Sequence, residues 1–330
     1  MLNILNVYGY NYVLFELAMK KISALFPGQG SQYIGMGLDL YNNFSEARVI
    51  YNLADHILRK KISDMIFSGS IDNLTKTVNA QLAIFITSFV AANILCKLAN
   101  KKFHHIFVNT AGHSLGEYTA LTMGGIATFR NMLTILRFRS RAMSKINGGM
   151  YALFNTTNHH AACLCKKLSL DGICEVACDN GNGLITISGQ HESFANIRSY
   201  AESVGINRFS RILVNGPFHS SLMAPVSSLI IKRMKQYRFN DPNIRILSNL
   251  HAQSYKNKEE LPTILAQHIK SKVLWRQTTE RIYDEYKCRT FVEIGPNNIL
   301  SRLLKQQYPE ACVYNIYDTK SIEYFLKHEL

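Results

Sequence analysis

The sequence lacks the features that mark membrane-spanning and secreted proteins. Its longest apolar stretch, Leu82–Cys96, is interrupted by Thr, Ser and Asn and falls short of the ~20 apolar residues that a spanning helix needs. We therefore predict a buried helix there. The N-terminus has neither the basic segment nor the small-residue cleavage site of a signal peptide. These absences predict a cytoplasmic protein that does not associate with a membrane.

The cysteines form neither a disulfide pattern nor a metal pattern. Seven cysteines, an odd number, are spread over 330 residues, which argues against a disulfide framework and predicts reduced thiols. Four of them lie between residues 163 and 178, but C-x-C followed by C-x3-C matches no standard zinc spacing. We therefore expect no metal site at these cysteines.

Negative charge is scarce relative to positive charge. The chain has 37 Lys and Arg against 23 Asp and Glu, a net charge of +14, which suits nucleic acid, an acidic membrane surface, or an acidic protein or cofactor. No run of more than three adjacent basic residues and no nucleic-acid recognition signature occurs, which disfavours nucleic acid. Scattered surface lysines with no docking role explain the charge equally well.

The first half of the chain alternates between predicted strands and helices. Short apolar runs at Ile22–Phe26 and His105–Ala111 predict buried strands, each followed by a glycine-containing turn. Helical spacing covers Leu40–Lys61 and Asn79–Leu98, and another helix is predicted from Glu117. The length allows one large core and a smaller lobe. We predict an α/β fold whose large, hydrolase-like lobe has a mostly parallel sheet.

Six segments between residues 150 and 214 follow the order βαββαβ, which is typical of a ferredoxin-like unit. The segments are Met150–Asn155, Ala161–Ser169, Glu175–Asp179, Leu184–Ser188, Glu192–Val204 and Arg208–Val214, and later strands are predicted at Ile244–Ser248, Thr290–Ile294 and Ala311–Ile316. Gly148-Gly149 and Asn215-Gly216-Pro217 punctuate the ends of this region. We predict an inserted ferredoxin-like small lobe at 150–214, a large catalytic lobe at 19–149 and 215–330, and an N-terminal extension at 1–18.

A serine motif follows the second predicted strand. The sequence GHSLG at 112–116 matches G-x-S-x-G between a strand and a helix, the context of a nucleophile elbow. The glycines leave room for a strained turn that projects the Ser114 hydroxyl and aims the Leu115 amide at a forming oxyanion. A helix N-cap is the alternative role for the serine, but the strand and helix around it favour a nucleophile.

A serine nucleophile needs a base, and the chain has 11 histidines. His219 follows a Gly-Pro break at the predicted junction of the lobes, where clefts favour active sites. His113 adjoins the serine, but we expect its side chain to turn away from it at the elbow. Surface or structural roles are expected for His104, His105, His159 and His160.

Several ordered blocks resemble the malonyl-CoA:acyl carrier protein transacylase family of fatty acid synthesis, over nearly the whole chain from about Met19. They are LFPGQGSQ at 25–32, GHSLGEY at 112–118, RFRSRAM at 137–143, GPFHSSLM at 216–223 and EIGPNNIL at 293–300. The resemblance implies an acyl-carrier-protein S-malonyltransferase. Its partners would be malonyl-CoA and holo acyl carrier protein, its nucleophile Ser114 and its base His219. We expect a monomer.

The resemblance also implies roles for residues around this pair. Gln29 resembles the residue whose backbone amide joins that of Leu115 in an oxyanion hole, which fits the two donors that such holes need. Arg139 resembles the arginine that grips the free carboxylate of the malonyl group, a task suited to a planar guanidinium. Phe218 resembles the phenylalanine that accompanies malonyl rather than methylmalonyl selection, although a core packing role is equally compatible.

His268 departs from the family, which usually has glutamine at this position. The resemblance implies that this position helps to hold the catalytic histidine, largely through its main-chain carbonyl, which survives any side-chain change. His268 and His113 are therefore expected to be supporting residues.

Two other functions fit the same residues. An esterase or thioesterase of the α/β-hydrolase type shares the elbow but needs an acid in the order Ser, Asp/Glu, His, for which Asp179 is one candidate. A catalytically silent module that binds carrier protein would retain the serine and histidine through packing alone.

Overall fold

The computed structural model describes residues 20–214 and 216–330. The extension predicted at 1–18 lies outside these residues, as does Asn215 in the predicted break between the lobes. The strands are β1 (Ile22–Phe26), β2 (Asn109–Gly112), β3 (Gly149–Leu153), β4 (Cys174–Asp179), β5 (Ile185–Gly189), β6 (Phe209–Ile212), β7 (Arg245–Leu247), β8 (Thr290–Ile294) and β9 (Cys312–Ile316).

Fifteen α-helices connect these strands within the described part of the chain. They are α1 (Leu38–Asn43), α2 (Ser45–Leu58), α3 (Ile62–Ser68), α4 (Ile71–Thr75), α5 (Thr77–Leu98), α6 (Phe103–Ile106), α7 (Gly116–Met123), α8 (Phe129–Met143), α9 (Asn158–Leu168), α10 (Ile197–Glu202), α11 (Ala224–Met234), α12 (Leu261–Ile269), α13 (Trp275–Glu280), α14 (Ile299–Gln307) and α15 (Thr319–Glu329).

The fold contains a parallel sheet and a separate antiparallel sheet. The first has the order β7-β2-β1-β8-β9, and all of its strand pairs are parallel. Every residue of β1 and β8 is buried, as expected of strands covered by helices on both faces. The second sheet has the order β4-β5-β3-β6 with antiparallel pairs. The predicted α/β fold with a mostly parallel sheet is confirmed.

The antiparallel sheet is built from one continuous stretch of chain. Its elements follow the order β3, α9, β4, β5, α10, β6, which is the βαββαβ order of a ferredoxin-like unit. A second hydrophobic cluster lies under this sheet, separate from the main core, and includes Leu153, Leu164 and Ile187. The helix predicted at Glu192–Val204 is interrupted: a 3-10 turn at Glu192–Phe194 precedes α10.

Helix α5 is the long apolar helix that the sequence predicts. In the described part of the chain it is the one helix long and apolar enough to cross a bilayer, but 83% of its most apolar window is buried inside the protein. Its buried residues surround the helix on all sides, and such a helix lies in a protein core. The prediction of a buried helix is confirmed.

Two further predictions of secondary structure are wrong. The single helix predicted at Leu40–Lys61 is two helices, α1 and α2, because Phe44 between them is extended (φ −127°, ψ 127°) and packs on the core. The strand predicted from His105 begins only at Asn109, because Phe103 and Ile106 bury their side chains from one helical turn, α6.

Candidate active site

The serine motif occupies a sharp turn between β2 and α7. Ser114 has a left-handed backbone (φ 48°), which residues with a Cβ rarely adopt. A Cβ on Gly112 would lie 2.0 Å from the Gly116 carbonyl carbon, and one on Gly116 would lie 2.0 Å from the Phe26 carbonyl oxygen. Both motif positions therefore require glycine, because strand and helix approach each other too closely for a side chain.

Asn249, which no sequence pattern indicated, holds this turn in place. The Ser114 amide donates to Asn249 Oδ1 over 2.6 Å, and Asn249 Nδ2 donates to the Gly112 carbonyl over 2.7 Å. Asn249 is fully buried just beyond β7, the neighbour of β2 in the sheet. Its side chain replaces the backbone hydrogen bonds that the turn cannot make for itself.

Ser114 and His219 lie in direct contact. Ser114 Oγ is 2.7 Å from His219 Nε2, and His219 Nδ1 is 3.0 Å from the main-chain carbonyl of His268. Because a carbonyl oxygen can only accept, Nδ1 carries the proton and Nε2 presents its lone pair to the serine hydroxyl. This is the arrangement that a general base needs.

The surroundings keep His219 neutral. Its side chain is only 4% exposed, and burial, helped by the positive charge of Arg139, lowers the pKa of His219 to about 3. Both causes disfavour the charged imidazolium. At neutral pH the ring is therefore free to accept a proton.

A cavity of about 110 Å³ opens beside this pair. Its lining side chains come from the turn after β1, from the nucleophile elbow, from helix α8 and from the antiparallel sheet. Its walls include the predicted residues Gln29, His113, Ser114, Leu115, Arg139, Phe218 and His219. The amide of His113 donates to the Phe26 carbonyl over 3.0 Å, so the elbow and the turn carrying Gln29 are held side by side.

Arg139 is a buried cation without an anionic partner. It is 1% exposed, and one guanidinium nitrogen, Nη1, donates to Gln81 Oε1 over 2.6 Å while the guanidinium stacks 5.0 Å from the centre of the Tyr118 ring. Its Nε has no hydrogen-bond partner, and among the described residues no carboxylate lies within 4.0 Å of it. Such a site favours a ligand carboxylate, which would supply the missing charge.

His113 and Phe218 line the cavity in different ways. His113 Nε2 is 2.8 Å from Asn180 Oδ1, and its ring lies edge-on to Trp275, so the side chain contacts the segment between β4 and β5 and not Ser114. Phe218 is buried. A Cβ on Gly216 would lie 2.4 Å from its ring, so glycine there makes space for the aromatic side chain.

The acid considered for a hydrolase triad lies elsewhere. Asp179 accepts from Arg276 Nε over 3.0 Å and from Asn158 Nδ2 over 2.6 Å. The Nδ1 atom of His219 instead faces the carbonyl of His268. The geometry therefore contradicts the interpretation of Asp179 as the triad acid.

His268 places its ring between His219 and a buried carboxylate. It is fully buried, and the centres of the His219 and His268 rings are 4.9 Å apart. His268 Nδ1 is 3.2 Å from Glu117 Oε2, but neither of its ring nitrogens is in line for a hydrogen bond. Glu117 accepts hydrogen bonds from the Tyr255 hydroxyl and, over 3.2 Å, from the Asn249 amide. Burial raises the pKa of Glu117 to about 7.

The cysteines and the other ionisable groups outline no metal centre. Over residues 20–214 and 216–330, no group of three His, Cys, Asp or Glu side chains is placed to hold a metal ion. Cys165 and Cys174 have their sulfur atoms 3.8 Å apart as free thiols. Cys178 lines the cavity, and burial raises the pKa of its thiol to about 12, so it is an uncharged wall residue.

Comparison with known proteins gives consistent results. Residues 25–323 match the model of a family described as acyl transferase domain. The chain is 32% identical over 310 residues to the malonyl CoA-acyl carrier protein transacylase of Bacillus subtilis (strain 168), covering 92% of this chain and 96% of that protein.

Solved structures agree. The acyl-carrier-protein S-malonyltransferase from Bartonella henselae superposes with a TM-score of 0.87 at 31% identity, covering 93% of this chain and 98% of that one. A malonyl-transacylase in complex with its type II PKS acyl-carrier protein superposes with a TM-score of 0.88 at 25% identity, covering 93% and 99%.

Proposed function

Because the chain belongs to the family of acyl transferase domains, we propose that it transfers a malonyl group from malonyl-CoA to the phosphopantetheine thiol of acyl carrier protein. This reaction supplies fatty acid synthesis. The observation that carries the proposal is the 2.7 Å contact between Ser114 Oγ and His219 Nε2, in the cavity where the unpaired guanidinium of Arg139 also lies.

The first half-reaction forms an acyl-enzyme. Ser114 Oγ attacks the thioester carbonyl while its proton passes to His219 Nε2, and the amides of Gln29 and Leu115 stabilise the oxyanion. The intermediate collapses, the carbon–sulfur bond breaks, and His219 returns the proton to the departing thiolate of coenzyme A. The product is malonyl-serine.

The second half-reaction is the reverse of the first with a different thiol. The phosphopantetheine thiol gives its proton to His219 as its sulfur attacks the acyl-serine, and Ser114 leaves with that proton. Both carriers use the same site in turn, so the kinetics are ping-pong. No metal or bound cofactor takes part.

Arg139 selects the acyl group. The malonyl carboxylate pairs with the guanidinium, which the protein itself leaves without an anion, whereas an acetyl group would leave that buried cation uncompensated. Phe218 crowds the carbon next to the thioester carbonyl and thereby disfavours a methyl branch. We further propose that the enzyme works as a cytoplasmic monomer without a membrane, consistent with the burial of α5.

Intact-protein mass spectrometry after brief incubation with malonyl-CoA or acetyl-CoA tests the proposal. We expect one malonyl adduct on the wild type, which disappears in Ser114→Ala and clears when holo acyl carrier protein is added. Arg139→Ala should reduce malonyl loading by about 100-fold or more and acetyl loading far less. Ser228→Ala, at an exposed position on α11, is the matched control and should load like the wild type.

Three outcomes would contradict this reaction. Loss of the malonyl adduct to water as fast as to carrier protein would indicate a thioesterase. A folded wild type that forms no adduct would indicate a module that only binds carrier protein. Equal loading of acetyl and malonyl would remove Arg139 from the selection of substrate.

A further inference from the structure

The proposed reaction creates a buried positive charge that His219 alone is poorly equipped to carry. When His219 accepts the serine proton it becomes an imidazolium in a site that already contains the Arg139 cation. A pKa of about 3 shows how strongly burial and that cation oppose the charged form. The groups that favour the charged ring are uncharged backbone groups of His268 and Ser271, and no described carboxylate touches His219. The oxyanion and the malonyl carboxylate lie on the substrate side, so a carboxylate behind the ring would add to the stabilisation of the imidazolium.

Glu117 is a buried carboxylate that is connected to His219 through one intervening side chain, that of His268. Its Oε2 is 3.2 Å from His268 Nδ1, and the His268 ring is tilted by 31° against the His219 ring at 4.9 Å between centres. All three side chains are almost fully buried. Little solvent therefore screens the charge of Glu117 from His219.

Glu117 also connects to the serine side of the pair. It accepts from the amide of Asn249, whose side chain holds the Ser114 amide and the Gly112 carbonyl. One carboxylate thus touches both the residue that fixes the elbow and the residue whose carbonyl fixes His219.

We propose that Glu117 is a positioning and charge-compensating residue for His219, acting through the ring of His268. This inference rests on the proposed function. In its ionised form Glu117 stabilises the imidazolium that forms as Ser114 attacks, and the flat ring of His268 keeps water out of the space between them. The acidic residue that assists the Ser114–His219 pair is therefore a glutamate that does not contact the base.

Burial is the main cause of the raised pKa of Glu117, and the hydrogen bond from Tyr255 and the charge of Arg139 oppose it. The ionisable groups that face Glu117 and His268 are Tyr255, Tyr118, Arg139, His113 and His219. Burial keeps the pKa of Tyr255 above its usual value and holds the pKa values of the histidines down. Of these side chains, Glu117 is the one with a pKa of about 7.

Glu117→Gln tests the inference through the pH dependence of acyl-enzyme formation. The rate of malonyl loading in a single turnover is measured at pH 5 and at pH 8. We expect the wild type to load about tenfold faster at pH 8, a factor that corresponds to one pKa unit on the base. At pH 5 the protonated carboxyl resembles an amide, so Glu117→Gln should match the wild type there and should not accelerate at pH 8.

Glu293→Gln is the matched control for burying an amide in place of a carboxyl. Glu293 is fully buried with a pKa raised to about 7, but it accepts from the amides of Leu300 and Ser301 at the start of α14, outside the cavity. This variant should keep the wild-type pH profile. A Glu117→Gln variant that is slower by one factor at both pH values would overturn the inference, because a purely structural role lowers the rate at every pH.

His268→Gln tests the transmission while it keeps the main-chain carbonyl and the Glu117 carboxylate. In this background the tenfold effect of Glu117→Gln at pH 8 should shrink to about threefold or less, because the two changes then remove the same coupling. An undiminished effect would show that the ring of His268 is not the intermediary. A wild type that forms no malonyl adduct would overturn the proposed function as well, and so the two failures are distinguishable.

Discussion

At the scale of single residues, both partners of the serine–histidine pair have unusual backbone conformations. Ser114 has φ 48° and His219 has φ 61°, a left-handed region that costs free energy for residues with a Cβ. Each is held there by a hydrogen bond from its amide, to Asn249 Oδ1 for Ser114 and to the Ile269 carbonyl for His219. The hydroxyl and the imidazole face each other because the backbone on both sides is fixed.

The conformation of His219 dictates which substitution separates chemistry from folding. Asparagine tolerates left-handed backbone better than other residues with a side chain, so His219→Asn should fold while removing the base. We expect malonyl loading to fall by about 100- to 10,000-fold with little change in melting temperature. His219→Val should lose loading and also melt earlier, because a β-branched residue is strained at this φ. Equal melting temperatures for the two variants would contradict the argument.

At the scale of elements, the strand–turn–helix unit of β2 and α7 depends on Gly116. A methyl group there would lie 2.0 Å from the Phe26 carbonyl of β1, and backbone cannot yield as a flexible side chain can. Gly116→Ala should therefore lower the free energy of unfolding by about 4 kcal/mol or more. Gly205→Ala is the control, since a Cβ there meets nothing within 4 Å and has only its φ of 75° to oppose it, which should cost about 1 kcal/mol. Urea denaturation measures both.

The elements that sequence patterns predict well are those whose cause is local. Strand β1 is a short apolar run closed by Pro and Gly, and β8 is bounded as predicted. The wrong predictions have non-local causes. Phe44 is not helical because its side chain packs on the core, and α6 forms because Phe103 and Ile106 pack in the same core.

The same distinction applies to the candidate site. Ser114 and His219 are 105 residues apart, yet each has a recognisable setting, a serine between glycines and a histidine after Gly-Pro. Asn249 lies 135 residues from Ser114 and has no such setting. Its role exists only because β7 lies beside β2. Sequence patterns therefore predict groups that react, and the sheet topology reveals the groups that hold them.

At the scale of the whole molecule, buried carboxyl groups shape the pH dependence of stability. Burial raises the pKa of Glu293 from 4.5 to about 7, so the folded state keeps a proton that the unfolded chain releases above about pH 4.5. Folded protein then binds more protons in this window, and the free energy of unfolding falls as pH rises through it. Between pH 4.5 and 7.5, the free energy of unfolding of the wild type should fall by about 3 kcal/mol relative to that of Glu293→Gln. Urea denaturation at both pH values tests this, and parallel curves would contradict it.

The net charge of +14 belongs to the whole molecule and bears on how it meets its second substrate. Acyl carrier proteins are acidic, and opposite charges accelerate encounter in a way that salt screens. Raising the salt concentration from 0.02 to 0.3 M, that is from a Debye length of about 20 Å to about 6 Å, should lower kcat/KM for holo acyl carrier protein by about tenfold.

Pantetheine, a neutral thiol acceptor with the same reactive end, is the control for this measurement. It uses the same acyl-serine but has no acidic surface, so its kcat/KM should change by less than about twofold over the same salt range. An equal loss with both acceptors would place the salt effect in the buried site around Arg139 and His219. A loss confined to the carrier protein would assign the excess of lysine and arginine to docking, because only the protein acceptor is large enough to meet charges on the enzyme surface.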